Sequence, residues 1–273
     1  MQLARQLSAI ENGEMQVEET KGLIVAITGP PGVGKSCLVD GILHRLAPEV
    51  KIAVLAVDPT SPLSGGALLG DRIRLSVLDD DSKSESIYVR SIATRSSSGS
   101  MPSIVKGLAS HLLANSFDLV IIETVGAGQS EMRCAAVATR IIVVEGPARG
   151  DSVQAEKAGL LELADLIVVN KSDLEGAERA VNDLTVSLTL TNDAPPIIRT
   201  SAISGEGLDE LAELILSLEE RTSSRRARAR QQLLMAHENI LIQNPAFDAI
   251  IDRMCEEGIG VEEALRKLDE RPS

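Results

Sequence analysis

Gly29-Pro30-Pro31-Gly32-Val33-Gly34-Lys35-Ser36 is the stretch that decides the fold of this 273-residue chain. An apolar run at residues 23–27 precedes it and a helical pattern at residues 37–43 follows it, which predicts a strand, a tight loop and a helix. Gly32 and Gly34 allow such a loop to curl so that its backbone N–H groups face a phosphate group. The pattern therefore predicts a phosphate-binding loop at a helix N-terminus, and the flanking segments disfavour the alternative, a glycine-rich surface turn.

The predicted loop also carries side chains suited to a nucleotide and its metal ion. We expect Lys35 to reach the β- and γ-phosphates and the hydroxyl of Ser36 to bind Mg²⁺. At Cys37 we expect a small core-filling side chain rather than a reactive thiol. The predicted nucleotide-binding residues of this segment are Gly29, Pro31, Gly32, Val33, Gly34, Lys35, Ser36 and Cys37.

A second motif, Asn170-Lys171-Ser172-Asp173, follows the apolar run at residues 166–169. A carboxylate at Asp173 can accept hydrogen bonds from guanine N1–H and the exocyclic amine, whereas adenine offers no such pair of donors. Taken alone, the motif also fits a simple turn with a solvated charge pair. Together with the phosphate loop it predicts a protein that binds GTP and GDP. The predicted base-binding residues are Asn170, Lys171, Asp173, Ser201, Ala202 and Ile203.

Two acidic segments have the composition of nucleotide-sensing loops. Asp58 ends an apolar run, and a glycine-flanked stretch then leads to Asp71; such a loop can carry carboxylates to Mg²⁺ or to the attacking water. Glu123-Thr124-Val125-Gly126 has the spacing of the Asp-x-x-Gly element, in which Gly126 would bind the γ-phosphate through its N–H. Solvated connections are the alternative. The predicted catalytic residues are Lys35, Asp58, Asp71 and Glu123, and the predicted metal ligands are Ser36, Asp58, Asp71 and Glu123.

The composition narrows the class of function. With 27 basic and 40 acidic residues the net charge is -13, which disfavours nonspecific binding to nucleic acids or anionic membranes. There is no Trp, one Tyr and two Phe, so few side chains could stack on bases. The cysteines and histidines lack metal-ligand spacing, and no apolar stretch has the length of a membrane span or the pattern of a signal peptide. We therefore expect a cytoplasmic protein with no nucleic-acid or membrane partner.

The order of the elements predicts the fold class. Short aliphatic runs alternate with helical patterns, which indicates an α/β fold with a mostly parallel central sheet covered by helices on both faces, and with ligands at the carboxyl ends of the strands. We divide the chain into an N-terminal helical segment (residues 1–21), a GTPase domain (22–219) and a C-terminal helical extension (220–273). The arginine-rich stretch 225–230 predicts a solvated helix face paired with Glu219 and Glu220, or else a contact with a partner.

These motifs give the chain a clear resemblance to one family. Over roughly residues 2–215 it resembles the MeaB/ArgK-type G-protein chaperones of cobalamin-dependent acyl-CoA mutases, a branch of the phosphate-loop GTPases. Besides the two nucleotide motifs, the resemblance rests on the Val-Asp-Pro-Thr-Ser-Pro string at residues 57–62 and the Glu-Thr-Val-Gly-Ala-Gly-Gln-Ser-Glu string at residues 123–131. It implies Asp58, Asp71 and Glu123 around Mg²⁺ and the γ-phosphate.

The resemblance also implies a function and a partner. Proteins of this kind use GTP hydrolysis to gate cofactor loading and to protect the mutase, and they form homodimers. The segment 149–157 is similar to the family's additional switch, which communicates with the mutase, whereas residues 145–148 differ from the family's usual approach to it. We expect contact with the mutase through residues 145–157. We therefore expect a Mg²⁺-dependent GTPase that serves a cobalamin-dependent acyl-CoA mutase. The alternatives are a GTP-gated scaffold for delivery of another metallocofactor and a small-molecule kinase.

Overall fold

The computed structural model describes residues 2–59, 75–94, 101–124, 133, 136–147, 154–189 and 193–269. At residues 58, 59, 94, 101, 102, 154–158 and 269 only the backbone is described. The predicted residues Asp71 and Gly126 and part of the segment 145–157 lie outside the described residues.

A parallel sheet forms the centre of the molecule. In the part of the chain described, the strand order is β3-β2-β4-β1-β5-β6-β7, and each neighbouring pair is parallel. The predicted α/β fold is therefore confirmed. The strands are β1 (Leu23–Thr28), β2 (Ile52–Pro59), β3 (Ile87–Thr94), β4 (Leu119–Thr124), β5 (Arg140–Glu145), β6 (Leu166–Val169) and β7 (Ile197–Arg199).

Helices cover the sheet and extend beyond it. A short 3₁₀ turn at Ser76–Asp79 precedes α3. The helices are α1 (Gln2–Glu11), α2 (Lys35–Leu46), α3 (Asp81–Ser84), α4 (Met101–Ala114), α5 (Gln154–Leu163), α6 (Ala177–Leu188), α7 (Leu208–Ser217), α8 (Thr222–Ile242), α9 (Phe247–Glu256) and α10 (Val261–Asp269).

The central strands are apolar throughout because both faces of the sheet are buried. Residues alternate between the faces of a strand, so each strand contributes to two hydrophobic cores. On one face, Val120 and Ile122 of β4 pack with Leu108 of α4 and Leu163 of α5. On the other face, the sheet packs against helices α2 and α7. The core there includes Val25, Ile27, Ile121 and Ile142 of the strands, Leu38 and Ile42 of α2, and Leu211 and Ile215 of α7.

The position of β1 in the sheet determines where a ligand site is expected. This strand lies between β4 and β5, so the connections that leave the carboxyl ends of β1 and its neighbours diverge at this point. In open α/β sheets ligands bind in the crevice that such a divergence creates. The phosphate loop begins directly after Thr28, the last residue of β1, and Glu123 lies beside it near the end of β4. The fold therefore brings the two predicted phosphate-binding elements to one edge of the sheet.

The N-terminal helix packs against the sheet's helical cover. Leu7 and Ile10 of α1 are buried in the core cluster that contains Leu108 of α4. The helix ends at Glu11, and Gly13 adopts a left-handed conformation with φ of 74°, which is common just after a helix. Burial lowers the pKa of His111, whose Nε2 lies 3.3 Å from the Oε1 of Gln6 on α1.

A buried charge network attaches α8 to the amino end of the sheet. Arg228 donates from Nη1 to Asp165 Oδ2 at 2.6 Å and from Nη2 to Glu220 Oε1 at 2.6 Å. Asp165 also accepts hydrogen bonds from the backbone N–H of Ile141 (2.9 Å) and from Ser224 Oγ (2.5 Å). Burial disfavours ionisation of Glu220, but its hydrogen bonds from the arginines outweigh that effect and lower its pKa.

The prediction of a fully solvated arginine face on α8 is therefore wrong for one member. Arg225 does pair with Glu220 at the surface, at 2.6 Å. Arg228 instead lies in the interior, because Asp165, which precedes β6 in a different part of the sequence, presents a buried carboxylate that needs a cationic partner. Within the described residues, no helix is long and apolar enough to cross a membrane.

Candidate nucleotide-binding site

The phosphate loop has a backbone conformation that only glycine accommodates easily. Gly29 and Gly34 have φ of 140° and 94°. A Cβ atom added at Gly29 would lie 2.1 Å from the carbonyl oxygen of Val144, and one at Gly34 would lie 2.5 Å from Nδ2 of Asn170. No side chain caps the N-terminus of α2, which begins at Lys35. A loop of this shape followed by an uncapped helix N-terminus is suited to bind phosphate groups.

Lys35 and Ser36 are the first two residues of α2, directly after the phosphate loop. The Nζ of Lys35 donates to the carbonyl oxygens of Gly29 at 2.6 Å and Pro30 at 3.0 Å, so the ammonium group lies against the loop. The hydroxyl of Ser36 donates to Oε1 of Glu123 at 2.6 Å, although the two residues are distant in sequence. The structure thus joins two of the four predicted metal ligands, one from α2 and one from β4.

The prediction that Cys37 fills the core is wrong. Its side chain is exposed, because Leu38, Val39 and Ile42 form the buried side of α2.

Asn170 holds the phosphate loop and the base-binding loops together. Its Nδ2 donates to the carbonyl oxygen of Val33 at 2.8 Å, and its Oδ1 accepts from the backbone N–H of Ala202 at 3.1 Å. Thr200, which directly follows β7, donates from Oγ1 to the same Oδ1 at 3.2 Å. Asn170 is buried, so each of these bonds also satisfies a polar group that water cannot easily reach. Three separate loops are therefore fixed in one arrangement.

The rest of the second motif extends this arrangement. Lys171 donates from Nζ to the carbonyl oxygen of Gly32 at 2.8 Å, and its φ of 62° is uncommon for a residue with a Cβ atom. Ser201 donates from Oγ to Oδ1 of Asp173 at 2.5 Å, which orients the carboxylate. Asp173 and Ile203 are exposed at the rim, whereas Ser201 is buried. The phosphate loop and the loops predicted to bind the base thus lie side by side at the carboxyl ends of the strands.

The remaining predicted residues are only partly placed. Asp58 lies near the carboxyl end of β2, where its backbone pairs in register with Ala93, but its side chain is outside the described part. Asp71 and Gly126 are outside it as well. Among the described residues, no group of three or more His, Cys, Asp or Glu side chains could hold a metal ion. The described oxygen pair of Ser36 and Glu123 is of the kind that Mg²⁺ prefers.

A buried polar pair that the sequence did not predict lies beside the phosphate loop. Thr124 donates from Oγ1 to Oγ1 of Thr28 at 2.9 Å, and both side chains are buried at the carboxyl ends of β4 and β1. The signal available in the sequence was a hydroxyl residue at the end of each of two apolar runs. Glu145, at the end of β5, is a further buried acidic residue at this edge of the sheet.

Comparison with known proteins identifies the family. The model of the family described as methylmalonyl-CoA mutase-associated GTPase MeaB matches residues 10–258. The chain belongs to the MeaB family. The match covers the phosphate loop, the Asn170 motif, α8 and α9.

Individual relatives of this MeaB-family chain support the assignment. A protein of Pyrococcus abyssi that is named as a GTPase is 38% identical to this chain over 229 residues, which are 78% of this chain and 70% of the relative. The fused isobutyryl-CoA mutase of Geobacillus kaustophilus is 40% identical over 175 residues, 61% of this chain and 16% of that protein. The mitochondrial methylmalonic aciduria type A homolog of Mus musculus is 36% identical over 196 residues, 68% of this chain and 46% of the relative.

The chain is shorter than these relatives. Five archaeal and mycobacterial relatives named as GTPases are matched over 59% to 70% of their own length.

Two solved structures share the fold of this MeaB-family member. A LAO/AO transport system kinase has a TM-score of 0.56 at 24% identity and is matched over 98% of this chain and 85% of its own. The hydrogenase maturation factor HypB of Archaeoglobus fulgidus has a TM-score of 0.52 at 23% identity, with 79% and 96% covered.

Proposed function

We propose that this chain is a Mg²⁺-dependent GTPase that acts as a G-protein chaperone of a cobalamin-dependent acyl-CoA mutase, gating cobalamin loading and protecting the mutase. The observation that carries the proposal is the junction between the phosphate loop and the Asn170 motif. Asn170 bonds to Val33 and Lys171 to Gly32, each at 2.8 Å, so the loop that we propose to bind guanine adjoins the loop that we propose to bind the phosphates. Membership of a family of mutase-associated GTPases supports the choice of partner.

Asp173 would select the base. Its carboxylate would accept the two hydrogen bonds that guanine N1–H and the exocyclic amine donate. The bond from Ser201 to Oδ1 of Asp173 holds the carboxylate in one orientation before the base arrives. Pre-organisation of this kind reduces the conformational entropy that binding would otherwise cost.

The phosphate loop would position the γ-phosphate for attack by water. The ammonium of Lys35 would exchange the carbonyl oxygens of Gly29 and Pro30 for oxygens of the β- and γ-phosphates. Ser36 and Glu123, with Asp58 and Asp71, would hold Mg²⁺. When bound, Mg²⁺ would neutralise the charge that develops on the phosphate oxygens. One of the carboxylates Asp58 and Asp71 would orient the attacking water.

The segment 145–157 would contact the mutase. It begins beside the phosphate loop, because a Cβ atom added at Gly146 would lie 3.7 Å from Cγ1 of Val33. A segment in this place could pass a change at the phosphates to a bound partner. A relative named as a fused isobutyryl-CoA mutase contains a matching region within its own chain, which supports a close association of the two activities. We further propose that the protein acts as a homodimer in the cytoplasm.

GTP hydrolysis measured against a mutase tests this function. The purified protein with Mg²⁺ should hydrolyse GTP slowly, and titration with a cobalamin-dependent acyl-CoA mutase from the same source should accelerate it. Lys35→Ala should remove both the basal and the stimulated rate. GTP turnover that no such mutase changes would contradict the chaperone role. Tight GTP binding without turnover would favour the scaffold, and phosphate transfer to a small molecule would favour the kinase.

A further inference from the structure

Helix α8 contacts the chain at points that flank the predicted nucleotide-sensing segments. Gln232 donates from Nε2 to the carbonyl oxygen of Ala136 at 2.7 Å. Arg133 forms two contacts with Glu238, from Nη1 to Oε1 at 3.1 Å and from Nη2 to Oε2 at 2.9 Å. We call the side chains of Gln232, Glu238 and Asn239 the α8 contact set; Asn239 donates from Nδ2 to Oγ of Ser103 at 3.2 Å.

The partners of the α8 contact set have a common position in the fold. Arg133 and Ala136 lie between β4, which carries Glu123, and β5. Ser103 lies in the first turn of α4, which follows the connection from β3. Helix α8 also packs on α5, the helix after the segment that we propose to contact the mutase, and Ala227 of α8 lies against the core cluster that contains Leu163 of α5. One helix therefore contacts the downstream side of three connections from the carboxyl edge of the sheet.

The amino-terminal half of α8 is fixed independently of these contacts. Arg228 and Ser224 bind the buried carboxylate of Asp165, which lies at the amino ends of the strands, whereas the phosphate loop lies at their carboxyl ends. The carboxyl-terminal half, which carries the α8 contact set, continues into α9 and α10. A change in the position of Arg133 or Ala136 would therefore act on the half of the helix that the Asp165 network does not hold.

We propose that α8 is energetically coupled to the bound nucleotide through Arg133 and Ala136. The coupling rests on the proposed function, in which the nucleotide and Mg²⁺ bind beside Ser36 and Glu123; Arg133 follows Glu123 in the connection between β4 and β5. GTP, which carries the γ-phosphate, and GDP would therefore act differently on the contacts that Arg133 and Ala136 make with α8. If the contacts with Gln232 and Glu238 differ in strength between the two states, linkage requires that α8 in turn changes the relative affinity for GTP and GDP. The bidentate Arg133–Glu238 pair is the strongest of these contacts, because charge-assisted paired hydrogen bonds have a defined geometry.

Nucleotide affinities of matched variants test the coupling. Fluorescent derivatives of GDP and of a non-hydrolysable GTP analogue would be titrated into the wild type, Glu238→Gln and the control Glu257→Gln. Glu257 forms an equally close pair with Arg253 on α9, at 2.9 Å, away from the connections described. Glu238→Gln should change the ratio of the two dissociation constants by about two- to fivefold, the range expected of a partly exposed ion pair. Glu257→Gln should leave the ratio unchanged, and Arg133→Glu with Glu238→Arg should restore it.

A measurement on the unmodified protein protects the test from folding defects. Amide hydrogen exchange of residues 232–239 would be compared between the GDP state and the GTP-analogue state, with residues 247–256 of α9 as the internal reference. The coupling predicts a difference in protection at residues 232–239 that exceeds any difference in the reference. Equal protection in the two states, or a ratio of dissociation constants that Glu238→Gln does not change, would overturn the proposal.

Discussion

Replacing Arg228 with methionine should strongly destabilise the protein. Arg228 and Asp165 are 3% and 0% exposed at the side chain, and their Nη1 and Oδ2 atoms lie 2.6 Å apart. Methionine keeps most of the apolar stem and removes the charge, so Asp165 stays buried with no cationic side chain against it. Removal of one partner from a buried pair costs about 3–5 kcal/mol. Because Ile141, Ser224 and the backbone N–H of Arg221 still donate to Asp165, we expect the lower end, about 3 kcal/mol.

Urea unfolding of three variants would separate this effect from ordinary surface electrostatics. The control is Arg225→Met, because Arg225 pairs with Glu220 at the same 2.6 Å but is 68% exposed; its loss should cost below about 1 kcal/mol. The double variant Asp165→Asn with Arg228→Met should be more stable than Arg228→Met alone, since it no longer buries an unpaired charge. A loss below about 1 kcal/mol for Arg228→Met, or equal losses for the two arginines, would refute the reasoning.

Three further results are expected. Gly34→Ala should weaken nucleotide binding at least about tenfold, because the alanine Cβ would lie 2.5 Å from Asn170 Nδ2 and the backbone would be strained. Binding calorimetry should show no such effect for the control Gly13→Ala. The φ of Gly13 is similar, at 74°, but no atom lies within 4 Å of a Cβ added there. Asp173→Asn should lower GTP affinity about 100-fold and favour XTP, because an amide can donate to the xanthine 2-carbonyl; unchanged preference in competition binding would exclude Asp173 as the base selector. The pKa of His111 is lowered in the folded protein, so the unfolded chain binds a proton at this residue more tightly than the folded protein does. The free energy of unfolding should therefore fall as the pH drops below about 6.5. Urea titrations at several pH values should show a weaker pH dependence for His111→Gln.

Much of the fold follows from local sequence patterns. The continuous aliphatic runs of β1, β4 and β6 predicted strands buried on both faces, and the structure confirms them. At β3 the continuous apolar run covers only residues 87–89, whereas the strand extends to Thr94 through Arg90 and Ser91. In the described sheet β3 pairs with β2 alone, and an edge strand tolerates polar residues that a central strand does not. The pattern therefore gave the core of the strand but not its length.

The site shows the same division between local and long-range information. The phosphate loop and the Asn170 motif were recognisable because each has its chemistry in a few consecutive residues. The hydrogen bond from Asn170 to Val33 joins residues 137 positions apart, and no local pattern indicates it. The Thr28–Thr124 pair and the burial of Arg228 were missed for the same reason, since both depend on which strands and helices become neighbours. The nucleotide and metal roles of the individual site residues stay predictions.

The position of Lys35 also bears on how fast a nucleotide can enter. Its ammonium group already lies within the curl of the phosphate loop, held by the carbonyl oxygens of Gly29 and Pro30 at 2.6 and 3.0 Å. An incoming phosphate would take over an ammonium that is already in place, and the backbone would not need to refold around it. The association rate constant should therefore be governed by diffusional encounter and electrostatic attraction, and stopped-flow traces should show a single phase whose rate increases linearly with nucleotide concentration.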